Sequence, residues 1–77
     1  MTISGFAFST LTVMPGAMVT VKNADSATHT VKVNGTNVDL NVPGGATATF
    51  TAPAKAGTYP LTCDFHPQMH GVLTVAG

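Results

Sequence analysis

The chain has 77 residues, 44% of them hydrophobic and only 8% charged, with no net charge at pH 7. That length allows one domain, over residues 1–77, and the three lysines and three acidic residues leave no basic patch for a nucleic-acid backbone. A lone cysteine excludes an internal disulfide, so so short a chain needs another source of stability, which a bound metal can supply by mass action.

Every segment reads as strand or turn. Residues 2–8 and 10–14 form the first two expected strands, closed by Pro15-Gly16, and residues 17–23 form the third. Residues 28–33 and 37–42 flank Asn34-Gly35, a hairpin signal. Pro43-Gly44-Gly45 introduces a strand over 45–51, Ala56-Gly57 one over 57–63, and residues 71–76 end the series. Seven to eight short strands between turn residues predict an all-β sandwich, largely antiparallel. No apolar run reaches the roughly 20 residues that cross a bilayer as a helix. No leader peptide is seen, and the surface is expected to carry Thr, Ser, Asn and Gly rather than charge. We read the chain as a soluble, monomeric mature domain, its export signal removed, working in the periplasm or outside the cell.

The alternation within strands places the reactive side chains. In 28–33, His29, Val31 and Val33 share a face and Thr30 and Lys32 share the other. Lysine belongs in water, so His29 points inward. The same count puts Tyr59, Leu61 and Cys63 together, and Cys63 inward. Beyond it runs Cys63-Asp64-Phe65-His66-Pro67-Gln68-Met69, a thiol, an imidazole and a thioether at three-residue spacing. If the two strands are antiparallel neighbours, His29 and Cys63 meet at one pole. A trigonal set of two imidazoles and a thiolate with a weak axial thioether suits copper in both oxidation states. Cys63, His29, His66 and Met69 would supply it, with Pro67 stiffening the loop. Taken singly, Cys63 and Met69 could be ordinary core residues and His29 a satisfied core histidine. Together they favour ligation.

These residues resemble those of a cupredoxin, a small blue copper protein of the plastocyanin, pseudoazurin and amicyanin group. Cys63-x-x-His66-Pro67-x-Met69-x-Gly71 is similar to the family's short ligand loop, and His29-Thr30-Val31 after Asn23-x-Asp25 to its upstream histidine strand. Val13-x-Pro15-Gly16 and Gly57-Thr58-Tyr59 also fit. The resemblance implies a Greek-key β-sandwich, one copper ion per chain and single-electron transfer, with His29, Cys63 and His66 equatorial and Met69 axial. Two departures stand out. Thr30 occupies a position where several relatives carry an Asn that ties the ligand segments together, a task that would fall to a bond with Asp64. His70, next to Met69, could compete with the thioether, although an exposed histidine is the simpler reading.

The remaining expectations follow from residue type. Phe6, Phe8, Phe50 and Tyr59 read as core, Met14 and Met18 as core or rim. Asp25 and Asp64 read as turn and loop residues without an acid–base role. Cys63 and His66 are not expected to form a nucleophilic pair, because no oxyanion hole or cleft is evident, and the chain is not read as an enzyme. Redox-partner proteins are expected to dock on a small apolar patch around His66, Pro67 and Met69, with Met14 near its rim. The alternatives are a copper storage or delivery protein with the same ligands, or a metal-free interaction module. Zinc would also bind such a set.

Overall fold

Threonine and valine alternate along much of this chain, and that pattern lays out as pleated strand with one face buried. The computed structural model describes residues 1–77 and contains nine strands and no helix. They are β1 (Thr2–Ser4), β2 (Ala7–Phe8), β3 (Leu11–Val13), β4 (Met18–Asn23), β5 (His29–Val33), β6 (Asp39–Val42), β7 (Thr47–Thr51), β8 (Gly57–Thr62) and β9 (His70–Val75). Two sheets pack face to face, ordered β2-β1-β4-β7 and β3-β9-β8-β5-β6. The Greek-key β-sandwich expected from the sequence is the architecture observed.

One expected strand is two. Within 2–8 the chain reverses at Gly5 and Phe6, both with φ of 59°. The reversal pairs Ile3 with Phe8 and Ser4 with Ala7. Two successive positive φ angles make the tight turn whose twist suits a hairpin. Glycine enters that region freely. Phenylalanine pays about 1–2 kcal/mol to do so. Phe6 is therefore not a core residue, as its type suggested, but stands 45% exposed at a hairpin tip. Past it, β2 and β3 form one run that changes sheets at Ser9-Thr10. β3 then lies parallel to β9, and β1 lies parallel to β4, so the sandwich is mixed.

The other pairings are antiparallel, and they decide which strand ends meet. β5 pairs with β8, Lys32 opposite Thr62, and β8 pairs with β9, Thr62 opposite His70. The start of β5, the end of β8 and the start of β9 therefore lie at one pole. In the facing sheet Ile3 lies opposite Asn23, which brings the ends of β1 and β4 to that pole as well. Met14 and Met18, 68% and 70% exposed, sit at the opposite pole, where β3 ends and β4 begins. A strand of six residues is about 20 Å long, so Met14 cannot rim a site at the His29 end.

Between the sheets lie Ile3, Val19, Val21, Val31, Val33, Val42, Phe50, Leu61, Leu73 and Val75, each less than one-tenth exposed. Each buried valine or leucine contributes about 1.5–3 kcal/mol by leaving water. Asn23 takes a fully buried place where the alternation of β4 would put another hydrophobe. Its amide donates to the carbonyls of Ala27 at 2.8 Å and Val42 at 3.0 Å, and its Oδ1 accepts the N–H of Asp25 at 3.0 Å. One side chain thus closes the turn before His29 and fastens it to the facing sheet. Gly44 presses on the same turn: a Cβ there would collide with the backbone carbonyl of Ser26. Asn23→Ala is expected to cost about 1–3 kcal/mol, the penalty for stranding buried partners. Gly44→Ala should cost about 1–3 kcal/mol through overpacking. The outward Asn41→Ala should stay within about 0.5 kcal/mol. Urea denaturation of the metal-free protein measures all three.

Candidate metal centre

The Cys-x-x-His-x-x-Met spacing folds as two turns in tandem. The N–H of His66 donates to the carbonyl of Cys63 at 3.3 Å, and the N–H of Met69 to that of His66 at 2.9 Å. Each turn returns the chain after three residues, so each brings the next donor side chain back toward the last. Pro67 occupies the second position of the second turn, where its fixed φ is already suitable and its missing N–H is not needed. Met69 is carried inside and is 1% exposed.

The upstream segment is stitched to this loop at Thr30. The Asp64 N–H donates to Thr30 Oγ1 at 2.7 Å, and the Thr30 N–H donates to Cys63 Sγ at 3.3 Å. The threonine side chain does reach Asp64, through its backbone. His29 is fully buried at the start of β5 and Cys63 is 2% exposed, as strand parity predicted for both. Asp64 lies against Asp39, and hydrogen bonding between the two carboxyls, with some desolvation, pushes the Asp39 pKa up.

Three donor atoms converge. His29 Nδ1 lies 3.2 Å from His66 Nδ1 and 3.9 Å from Cys63 Sγ, and His66 Nδ1 lies 3.6 Å from the sulfur. A point equidistant from the three is about 2.1 Å from each, close to the 2.0–2.1 Å of an imidazole–metal bond and a little under the roughly 2.3 Å of a thiolate–metal bond. Burial pushes the Cys63 thiol up, but the N–H groups of Thr30 and Phe65 and the side chains of His29 and Thr30 outweigh it and hold the thiol below its ordinary pKa. A sulfur held ready to ionise beside two imidazoles, with a thioether buried on the same loop, is a donor set for a single copper ion.

Comparison with known proteins agrees. The profile of a cupredoxin-like domain matches residues 1–75. The chain belongs to the cupredoxin-like family. Among solved structures this cupredoxin is similar to a reduced Cu(I) form at pH 4 of an amicyanin mutant, at 28% identity and a TM-score of 0.79. It is also similar to the Cu(I) form of another amicyanin mutant, at 26% and 0.78, and to an oxidized amicyanin mutant, at 25% and 0.79. In each case the match covers 97% of this chain and 78% of the other. No curated protein matches the sequence significantly.

One expectation about the surroundings needs correction. Met69 is too buried to form part of a surface patch. The exposed apolar residues beside His66 are Pro67, Phe65 at 57% and Phe6 at 45%. His70 is exposed on β9, turned away from the interior that Met69 enters. Gly71, in contrast, is required by contact, because a Cβ there would lie 2.8 Å from Phe8 Cβ.

Two residues at the centre were not read as part of it. Phe6 stands edge-on to both imidazoles, its ring centroid 4.9 Å from that of His29 and 4.7 Å from that of His66. Asp25 Oδ2 accepts from His29 Nε2 at 2.9 Å. The signals existed: a glycine inside a supposed strand, and an acid a few residues before the inward histidine.

Thr30→Val removes the acceptor for the Asp64 N–H while keeping the shape. It should destabilise the metal-free protein by about 1–3 kcal/mol. Hydrogen exchange at the Asp64 amide should accelerate with it, and an unchanged exchange rate would count against the stitch.

Proposed function

We propose that this cupredoxin is a soluble one-electron carrier. In this reading His29 Nδ1, Cys63 Sγ and His66 Nδ1 would hold one type 1 copper ion, with the Met69 thioether as a fourth, weaker donor. The observation that carries it is the triangle of donor atoms, already spaced for an ion by contacts within the polypeptide. Bound copper supplies a Cu(I)/Cu(II) couple. The chain supplies the rest. The Thr30 stitch and the tandem turns resist movement of the donors, which favours transfer with little rearrangement. The buried His29 and Cys63 keep water from two of the three vertices. His66 is partly exposed and forms the face through which an electron would pass.

We place the docking surface for redox-partner proteins around His66, with Phe6, Phe65 and Pro67 as its apolar contacts. A small, weakly charged patch suits brief encounters. Three lysines against three aspartates give little long-range steering. The storage or delivery alternative drew on His70 as a competing donor and on the shortness of the chain, and the exposure of His70 on β9 removes the first of these. The family likeness, and a surface filled by uncharged polar residues, support a place in the periplasm or outside the cell.

Titrating metal-free protein with Cu(II) should reach an endpoint at one equivalent. It should produce strong visible absorption near the 600 nm typical of the family and a type 1 paramagnetic resonance spectrum, both absent in Cys63→Ser. Copper at a thousandfold excess over its dissociation constant should add about 4 kcal/mol of stability. A colourless copper complex that exchanges readily with a chelator would support handling instead. Electron-exchange rates with a partner should change little between low and high salt, measured by stopped-flow. A steep dependence would exclude the uncharged docking face.

A further inference from the structure

The carboxylate of Asp25 makes three bonds. Oδ1 accepts the N–H of Gly5 at 2.8 Å, and Oδ2 accepts the N–H of Phe6 at 2.9 Å and His29 Nε2 at 2.9 Å. Both oxygens already accept backbone N–H groups, so toward the ring the carboxylate is an acceptor: His29 Nε2 carries the ring proton and Nδ1 presents its lone pair to the triangle. The other two bonds hold the tip of the β1–β2 hairpin at the one place where a non-glycine residue takes positive φ. Backbone strain of this kind persists only where the surroundings over-determine it, and such strain gathers at functional sites. Here the strained residue is an aromatic whose ring meets His29 at 84° and His66 at 89°.

We propose that Asp25 is a positioning residue of the copper centre, fixing the ring proton of His29 on Nε2 while clamping Phe6 as a cover over His66. The assignment rests on the ligand set proposed above. Asp25 reaches the metal through His29 in one direction and through Phe6 and His66 in the other. His29 is thereby held ready before an ion arrives, and His66, the partly exposed ligand, is hindered from turning outward. Loss of the carboxylate loosens both imidazoles. It also removes a negative charge one ring away from the ion, and so favours Cu(I) over Cu(II).

The test uses Asp25→Asn and Phe6→Gly in the full chain. Nitrogen-15 spectra of the metal-free protein report the His29 tautomer. Wild type should show the Nε2–H form alone, and Asp25→Asn, whose amide can either donate or accept, should show a mixture. Competition against a Cu(I) chelator such as bicinchoninate should show about 10–100-fold weaker binding by Asp25→Asn, the usual cost of losing such a partner. Its reduction potential should rise. Phe6→Gly relieves the strain at positive φ, so its melting temperature should hold or increase, while release of copper to the chelator should become about 5–150-fold faster, the worth of two lost aromatic pairs. A merely structural hairpin tip would leave release unchanged in Phe6→Gly. That result, or an Asp25→Asn protein that keeps the wild-type tautomer, affinity and potential, overturns the proposal while the copper assignment stands. Failure of the wild-type protein to bind copper overturns both.

Discussion

Two hydrogen bonds a few ångströms apart hold the ligand-bearing segments together. Asp64 donates its N–H to Thr30 Oγ1, and Thr30 donates its N–H to Cys63 Sγ. His29 is one residue before Thr30, and the loop bearing His66 and Met69 begins at Cys63. The relative position of all four side chains therefore rests on this stitch and on the β5–β8 pairing that aims the strands at it. Both are contacts within the folded polypeptide and need no ion. The consequence is a pre-arranged centre in a chain of only 77 residues. A chain that short has little buried area to spare for strain.

The surrounding frame explains how so small a sandwich tolerates that demand. Asn23 spends a fully buried position on polar contacts, yet each is satisfied, and together they set where β5 begins. Gly44 allows the next loop to press on the same turn without a side chain between them. Neither residue hydrogen-bonds any of the four donor side chains. Both decide the register of the strand that carries His29. Position at the centre is thus set from two directions: from beneath by Asn23 and the β6–β7 loop, and across the sheet by Thr30.

Much of this was legible in the sequence, because the rules involved are local. Alternation is a property of the strand itself, so the inward direction of His29 and Cys63 followed from Lys32 and from Leu61. Three-residue spacing converts directly into tandem turns, with Pro67 marking the second. The Asn34-Gly35 hairpin formed as expected, its Gly35 at φ 89° within the Val33–Thr36 turn. What escaped was decided by contacts between distant segments. Gly5 hints at a break within residues 2–8, but it does not announce that Phe6 will adopt positive φ, since the compensating bonds come from Asp25, nearly twenty residues on. Asp25 looked like turn punctuation because its partners lie on a different hairpin. Met69 was placed in the apolar patch beside His66, whereas the second turn carries it inward. Met14 was placed near the site by its type alone, and the parallel pairing of β3 with β9 puts it at the other end of the molecule.

The seclusion of the only thiol has a consequence for storage and assembly. A surface cysteine without an internal mate would invite covalent linkage between two molecules in air or in an oxidising compartment. With the residue 2% exposed and its sulfur already accepting a hydrogen bond from the Thr30 N–H, Cys63 cannot be approached by the same atom of a second molecule without unfolding of the loop. The apo form is thus shielded against cross-linked pairs by geometry alone, before any metal masks the sulfur.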